Sequence, residues 1–501
     1  MNAAPAAAPS ATASALYRRV WRWHFYAGLI CLPVLALMAV TGALYLYQEP
    51  IESLVYTRLR SVDASMAPAT STALDAESLV AHAQTAVPGE AVRFIAAPQA
   101  GRSAEVGIRT DNGRLVSVYL DPASGQVLGQ LPDDEKLMEI VKRVHSLAIA
   151  GPVANHGVEI VAGWAIVLVA SGVFLWWPRG RTGTGGVYSL RGRPTQRNWW
   201  RDLHAVVGVT AGAAIVFLAV TGMPWSAYWG QQFGRLTNAW GIGLPMHLFG
   251  PAPASSLPSS APSTLSGDLP WTLSQARLPP STPPAQANAH EGAQSAAHAD
   301  AHADPHGEHA GHDAHGAPGS ALPQTALAPS IGLNAALRRY AELGLPAGTP
   351  VRLPQGPSGA YTAMSFPDDV RDQRVVHLDR YSGAVLADVG YADYGIAGRV
   401  TEWGINLHTG RQFGALNRLV MLAGCLSIVA LAISAVVMWW KRRPQGRLAA
   451  PPRRAGDRAA WSAIAVAALL GLLYPLLGAS MLAALLVDAV VPQRWHARWG
   501  L

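Results

Sequence analysis

Long apolar runs alternate with polar segments along this chain, and four of the runs are long enough to cross a membrane. They cover residues 25–47, 156–177, 205–229 and 416–440. A helix needs about 20 predominantly apolar residues to span the hydrocarbon layer. A fifth run, residues 461–487, contains Pro475, and the parts on either side of this proline are each too short to span. The pattern therefore predicts an all-α membrane bundle of four core spans, followed by one bent C-terminal helix.

The apolar runs repeat in register, together with particular polar residues. A shift of 180 positions aligns the first run with the third, and a shift of 263 positions aligns the second with the fourth. The first shift superimposes His24 on His204, Gly28 on Gly208, Thr41 on Thr221 and Gly42 on Gly222, and the second superimposes His145 on His408 and Trp176 on Trp439. Several matches in an ungapped register indicate a duplication. We predict that the bundle consists of two repeated units.

The segments between the two spans of each unit share a strand–turn–strand pattern. VYLDPASGQVLG, around Asp121, and VHLDRYSGAVLA, around Asp379, each have a glycine in a tight turn between two strand-like stretches. A helix-like stretch precedes each of them, so each unit is predicted to carry a small α+β domain. Residues 251–329 interrupt the second of these domains. They are rich in Ala, Pro, Ser, Gly and His and are predicted to form a disordered loop.

Basic residues determine the expected orientation of the bundle. One cluster precedes the first span, at Arg18, Arg19 and Arg22, and others fill the segments between the second and third spans and between the fourth and fifth. All three clusters fall on one side, which the positive-inside rule assigns to the cytoplasm. The net charge of +7 follows from these clusters and gives no reason to expect nucleic-acid binding. The only two cysteines, Cys31 and Cys425, lie inside spans, so no disulfide framework is expected.

The two units and their connections divide the chain into spans, outer domains and cytoplasmic loops. The N-terminus is predicted to be cytoplasmic. The predicted segments are a tail at 1–23, the first span at 24–47, an outer α+β domain at 48–145, a lead-in and second span at 146–177, a loop at 178–203, the third span at 204–229, a second outer domain with its insertion at 230–408, the fourth span with its lead-in at 409–440, a loop at 441–460, the fifth helix at 461–487 and a tail at 488–501.

Four histidines occupy matched positions at the ends of the spans. His24 and His204 begin the first and third spans on the cytoplasmic side, whereas His145 and His408 precede the second and fourth spans on the outer side. Ionisable residues at membrane depth are costly and usually functional. Two like repeats pack around an axis normal to the membrane, so equivalent histidines face each other. Pairing His24 with His145 instead would require bridging most of a hydrocarbon layer about 30 Å thick.

Two imidazoles facing each other across an apolar bundle suit a haem. Structural zinc requires four ligands, whereas a haem requires only two axial ligands and fits between helices. We expect Gly28, Gly42, Gly208 and Gly222 to let a flat macrocycle approach the backbone. The chain has no CxxCH motif, so the expected haems are non-covalent and of b type. We predict two haems, one on His24 and His204 and one on His145 and His408.

Several of these motifs resemble the PepSY-associated transmembrane proteins. They are the TG of Thr41 and Gly42, the lead-in histidine, the WWPR at Trp176 and the LDPASGQV turn, and the resemblance extends through the YPLLGASMLAALLVD tail. This resemblance implies a bacterial inner-membrane protein with PepSY-like outer domains, often iron-regulated. Some members of the family are di-haem reductases of ferric siderophores, which implies the haem-ligand role for all four histidines. Nothing here resembles the cytoplasmic flavin- and nicotinamide-binding module of some members, so the electron donor is expected to be separate.

The insertion carries its own histidine pattern, in which imidazoles alternate with carboxylates. The histidines concerned are His290, His298, His302, His306, His309, His312 and His315. Imidazole with carboxylate suits Cu(II), Zn(II), Ni(II) or Fe, and we expect loose capture of such an ion. The alternative is a solvated linker whose histidines are incidental. His156 is a spare outer ligand, a residue that faces a quinone or substrate, or a border residue without a role. His247 is a candidate docking residue, and Glu159 is expected to hydrogen-bond within the bundle.

Together these features predict a transmembrane electron-transfer protein embedded in lipid. Electrons from a separate cytoplasmic or quinol donor would reach a ferric siderophore or another oxidised metal complex on the periplasmic side, for iron uptake. One alternative is a haem-free sensor whose PepSY-like domains bind a peptide or protein. Another is a metal transporter fed by the histidine-rich insertion, although the centres of the spans lack the polar residues that a permeation path requires. No constellation for acid–base or nucleophilic catalysis is evident in the sequence.

Overall fold

The computed structural model describes residues 11–62, 74–178, 187–243, 330–443 and 461–490. Its helices are α1 (Ala11–Tyr45), α2 (Gln48–Val55), α3 (Thr57–Arg60), α4 (Ala76–Ala86), α5 (Leu137–His145), α6 (Pro152–Trp176), α7 (Arg197–Gly222), α8 (Trp229–Ala239), α9 (Leu333–Glu342), α10 (Ile396–His408), α11 (Gly414–Arg442), α12 (Trp461–Leu473) and α13 (Pro475–Val490). Among them, α1, α6, α7 and α11 are long and apolar enough to cross a membrane. The four predicted core spans are therefore confirmed as membrane-length helices.

These four helices form a bundle in which each helix packs against two others. Helix α1 packs against α6 and α11, and α7 packs against the same two helices. Helices α1 and α7 therefore lie diagonally across the bundle from each other, as do α6 and α11. Each diagonal pair comes from equivalent positions of the two sequence repeats. Equivalent contacts recur, because Leu168 of α6 packs on Gly28 and Leu431 of α11 packs on Gly208.

The fifth apolar run, predicted as one bent helix, is divided into two helices, α12 and α13, of 13 and 16 residues. The break falls at Tyr474, immediately before Pro475, whose ring cannot continue a helix without distortion. The chain bends so sharply there that a Cβ on Gly471 would lie 3.0 Å from Cα of Gly478. Helix α13 packs on α6, where Trp164 Nε1 donates to Ser480 Oγ over 3.0 Å.

The two segments predicted as separate α+β domains form one continuous antiparallel sheet. Its strands are β1 (Glu90–Ile95), β2 (Ala104–Arg109), β3 (Leu115–Leu120), β4 (Val127–Pro132), β5 (Val351–Arg352), β6 (Tyr361–Ser365), β7 (Arg374–Leu378) and β8 (Val385–Gly390). Their order across the sheet is β4-β3-β2-β1-β5-β6-β7-β8. The two halves meet where Phe94 of β1 lies opposite Val351 of β5. The order is therefore symmetric about this junction.

One hydrophobic core covers a face of both half-sheets. Leu79 of α4 and Ala336 of α9 are buried against alternate strand residues such as Val106 and Val376. Because side chains alternate across a strand, these residues define one face of the sheet. The predicted glycine turns are also present, with φ of 72° at Gly125 and 73° at Gly383, a left-handed conformation that favours glycine. The two halves therefore share a single core, which is a correction to the expectation of two separate domains.

The sheet joins the bundle through two short helices that each end in a histidine. Helix α5 follows β4 and ends at His145, while α10 follows β8 and ends at His408. Helix α5 packs against α1, and α10 packs against α7. We call this end of the bundle the sheet end and the opposite end the far end. His247 and the insertion at 251–329, with its histidines from His290 to His315, lie outside the described residues.

Candidate functional site

At the far end of the bundle, His24 and His204 face each other across its interior. They project from the diagonal helices α1 and α7, and their ring centroids are 6.4 Å apart with the ring planes at 89°. His24 Nδ1 is hydrogen-bonded to Ser171 Oγ at 2.9 Å, and His204 Nδ1 to Ser434 Oγ at 3.0 Å. Each serine lies on the second long helix of the same repeat as its histidine, Ser171 on α6 and Ser434 on α11. Each imidazole is therefore fixed by a neighbouring helix while it faces its counterpart.

The separation of these two rings has a specific chemical meaning. Two imidazoles that ligate one metal ion from opposite sides through bonds of about 2 Å have centroids about 6.3 Å apart. Two imidazoles joined by a direct hydrogen bond would have centroids only about 5 Å apart. The observed centroid separation of 6.4 Å agrees with the first arrangement and is longer than the second arrangement allows. The ring separation of the far-end pair is therefore compatible with a metal ion between the two imidazoles and too long for a direct hydrogen bond between them.

At the sheet end, His145 and His408 occupy equivalent positions against α1 and α7. His145 Nδ1 is hydrogen-bonded to Thr41 Oγ1 at 3.0 Å, and His408 Nδ1 to Thr221 Oγ1 at 2.8 Å. Burial, and then the charge of the neighbouring His145, lower the pKa of His408 to about 4. Burial also lowers the pKa of His145. Both imidazoles are therefore neutral at neutral pH, which is the state that ligates metals.

Glycines make room for three of the four imidazoles. A Cβ on Gly42 would lie 3.4 Å from His145 Cε1, and a Cβ on Gly222 would lie 3.6 Å from His408 Cε1. Gly172 is similarly close to His24, with 3.3 Å between a built Cβ and Cε1. Gly42 and Gly222 therefore lie in contact with the histidine rings, and the expectation that they let a macrocycle approach the backbone stays a prediction.

The other two glycines expected to let a macrocycle approach the backbone are also covered by side chains. A Cβ on Gly28 would lie 3.8 Å from Leu168 Cδ2, and a Cβ on Gly208 would lie 3.7 Å from Leu431 Cδ2. These are ordinary packing contacts between neighbouring helices. The small residues thus allow close packing of the helices and their side chains.

The two histidine pairs lie near opposite ends of the bundle. His24 and Thr41, the partner of His145, are 17 positions apart on the same helix. At 1.5 Å per residue, this corresponds to about 25 Å along the helix axis. The pairing of His24 with His145 that the sequence disfavoured is accordingly absent among the described hydrogen-bond and ring contacts of these two residues.

The donor set at each end consists of two imidazoles, and those of His24 and His204 lie with their ring centroids 6.4 Å apart. Within the described residues, no group of three or more His, Cys, Asp or Glu side chains is arranged to hold a metal ion. Two opposed imidazoles suit a planar macrocycle that already supplies four ligands and needs only two axial ones. All four rings retain some exposed surface although they lie within the protein. The donor chemistry of the far-end pair is therefore compatible with a haem, and the sheet-end histidines supply the same type of donor.

Two further polar residues of α6 lie outside these pairs. His156 Nδ1 donates to the carbonyl oxygen of Pro152 in its own helix, over 2.7 Å. Glu159 is fully buried, and its Oε2 accepts a hydrogen bond of 2.9 Å from the backbone N–H of Trp229, the first residue of α8. The prediction that Glu159 hydrogen-bonds within the bundle is confirmed.

Sequence reasoning missed the serines that fix the far-end pair. Ser171 and Ser434 are 263 positions apart, which is the shift that aligns the second apolar run with the fourth. Searching that register for matched polar residues would have found them. Thr41 and Thr221 were recognised as matched residues, but their contacts with His145 and His408 were not predicted.

Four apolar helices of membrane length, together with the family match described next, define a multi-pass membrane protein. The family model described as PepSY-associated TM region matches residues 21–442. The chain therefore belongs to the PepSY-associated TM family, as its motifs predicted. A comparison with curated proteins found no match.

Proposed function

We propose that this protein is an inner-membrane b-type di-haem electron-transfer protein, with its N-terminus in the cytoplasm and its sheet in the periplasm. His24 and His204 would hold one haem, and His145 and His408 the other. The haems would supply one-electron oxidation and reduction between a separate cytoplasmic or quinol donor and a periplasmic ferric siderophore or other oxidised metal complex. Reduction of Fe(III) weakens its binding to hard oxygen ligands, which would release iron for uptake.

The observation that supports this proposal best is the 6.4 Å separation of the His24 and His204 rings. It agrees with two-sided ligation of a metal ion and is too long for a direct hydrogen bond. At the sheet end, His145 and His408 each bind a threonine hydroxyl through Nδ1, which supports treating them as equivalent residues of the two repeats. Membership of a membrane family agrees with a function inside the bilayer.

The chain's own residues have three tasks in this function. The paired histidines would provide nitrogen ligands at each end of the bundle. Ser171, Ser434, Thr41 and Thr221 orient these ligands through Nδ1. The apolar helices around the pairs keep water away, and burial and ligand identity tune the potential of a bound redox centre.

An absorption spectrum of the detergent-purified protein tests the proposal. The wild type is expected to show the Soret and visible bands of two low-spin b-type haems. His204→Ala and His408→Ala are each expected to lose the signal of one haem. His156→Ala is the matched control, because His156 bonds within its own helix, and it is expected to retain both. An unchanged spectrum in both ligand variants would overturn the ligand assignment, and a wild type without Soret absorbance would favour a haem-free sensor.

A further inference from the structure

We infer that Ser171, Ser434, Thr41 and Thr221 are positioning residues that hold the four histidines in one tautomer, with Nδ1 protonated and Nε2 free to ligate. The role of this tautomer rests on the proposed function, because an unprotonated Nε2 is needed only if the imidazoles bind a metal. The tautomer itself follows from the hydrogen bonds and is tested separately.

Each of the four hydroxyl groups has a backbone acceptor for its single proton. Thr41 Oγ1 donates to the carbonyl oxygen of Leu37 over 2.7 Å, and Thr221 Oγ1 donates to that of Phe217 over 2.6 Å. Ser171 Oγ donates to Leu168 O over 3.1 Å, and Ser434 Oγ donates to Leu431 O over 2.9 Å. All four acceptors lie one turn earlier on the same helix as the hydroxyl.

These backbone hydrogen bonds determine which group donates in the hydrogen bonds to the histidines. A hydroxyl group has one proton and two lone pairs, so a hydroxyl that donates to the backbone can only accept from an imidazole. Nδ1 of each histidine must therefore be the donor and carry the proton. In a neutral imidazole the other nitrogen, Nε2, then holds an unprotonated lone pair. Partners of this kind fix the tautomer and orientation of metal-ligating histidines.

A hydroxyl group that is hydrogen-bonded to histidine Nδ1 occurs four times, on two different kinds of helix. At the far end, the hydroxyls are serines on the returning helices α6 and α11, and at the sheet end they are threonines on the outgoing helices α1 and α7. The surroundings of the two serines differ, because Gly172 follows Ser171 whereas Ala435 follows Ser434. General packing does not require a hydroxyl in all four places. Orientation of the imidazole explains each of them.

The first experiment measures the tautomer in protein prepared without haem, by nitrogen-15 NMR of the histidine rings. The His145 signal is identified by its loss in His145→Ala. We expect Nδ1–H in the wild type and again in Thr41→Ser. Thr41→Val has the same shape but no hydroxyl and leaves the Met38 carbonyl as the remaining acceptor, so it should show a larger share of the other tautomer. An unchanged tautomer in Thr41→Val would overturn the inference, whether or not the protein binds haem. Ser171→Ala and Ser171→Thr repeat the test for His24.

The second experiment uses the haem-loaded protein. Loss of such a hydrogen bond is expected to weaken haem binding at that end by about 10- to 100-fold. It also makes the imidazole less basic, so the midpoint potential of the affected haem should rise in Thr41→Val, while Thr41→Ser stays close to the wild type. Equal potentials in wild type and Thr41→Val would contradict the positioning role. A wild type without haem would overturn the proposed function and leave the tautomer result standing.

Discussion

Gly42 lies beside the ring of His145, and a Cβ built on Gly42 would be 3.4 Å from Cε1 of that ring. Gly28, on the same helix, has only an ordinary contact of 3.8 Å between a built Cβ and Leu168. Alanine in place of glycine in a helix interior normally stabilises by about 1 kcal/mol. The two glycines therefore separate the effect of helix propensity from the effect on the imidazole.

We predict that Gly28→Ala raises the melting temperature and leaves the haem content unchanged. Gly42→Ala should gain less stability and lower the haem content, because the added methyl group would press on the His145 ring and weaken its hydrogen bond to Thr41. Thermal melts and haem-to-protein ratios of the two variants provide the comparison. Identical behaviour of the two variants would show that Gly42 does not seat the ring.

Glu159 is predicted to stabilise the junction between α6 and α8. Glu159→Leu removes the acceptor for the Trp229 N–H and introduces the residue found at the matching site, Leu422, so it should cost about 1 to 3 kcal/mol of unfolding free energy. Glu159→Gln keeps an acceptor oxygen and should cost less. Thermal unfolding in detergent compares the two. A glutamine variant as unstable as the leucine variant would show that the carboxylate charge, and not the hydrogen bond, is required.

A buried ion-pair network in the first half-sheet predicts acid sensitivity. Glu105 binds Arg93 and Lys136 at 2.8 and 3.1 Å. Burial alone would raise the pKa of Glu105, but the charges of Lys136 and Arg93 outweigh burial and lower it from 4.5 to about 2. A lowered carboxyl pKa stabilises the folded state above pH 4.5, and this stabilisation is lost as the pH falls towards 2.

Glu105→Gln should therefore destabilise the protein at pH 7, by about 1 to 3 kcal/mol, because Arg93 and Lys136 lose one charged partner and keep Asp133. It should also make the decline in stability below pH 4.5 shallower than in the wild type. Melting temperatures measured from pH 7 to pH 3 test both effects. The exposed residue Glu342, which pairs with Arg339, supplies the control variant Glu342→Gln, which should have little effect at any pH. Parallel pH profiles of wild type and Glu105→Gln would contradict the prediction.

Deletion of residues 290–315 is predicted to leave both haems bound and to lower the binding of divalent metal ions. The deleted segment removes the alternating imidazole and carboxylate groups and leaves the four paired histidines in place. Isothermal titration with Cu(II) and Zn(II), together with an absorption spectrum, measures the two properties. Equal metal binding before and after the deletion would support the incidental-linker interpretation.

The facing of His24 and His204 could be predicted because the sequence contains a duplication. His24 and His204 occupy equivalent positions, and two equivalent helices lie diagonally in the bundle, so their side chains can meet. The hydroxyl partners were harder to predict, because a serine in an apolar helix usually bonds to its own backbone and gives no sign of a second contact.

The joining of the two half-sheets could not be predicted from local pattern. Strand β5 has only two residues, and its partner β1 lies more than 250 positions earlier in the chain. Period-two alternation identifies strands but does not say which strand edges pair across such a distance. The division of the fifth run at Tyr474 was likewise only half predicted, because proline marks the position of a bend but not its sharpness.

The central position of β1 also bears on how the protein is made. While only the first unit has been synthesised, β1 is an edge strand whose backbone groups on one side await β5. Unpaired edges recruit other chains readily, and nascent multi-domain proteins are most prone to aggregation at such stages. During synthesis, β1 therefore remains an unpaired edge at least until Val351–Arg352 has been made, and this interval is when the first half-sheet is most open to pairing with another chain.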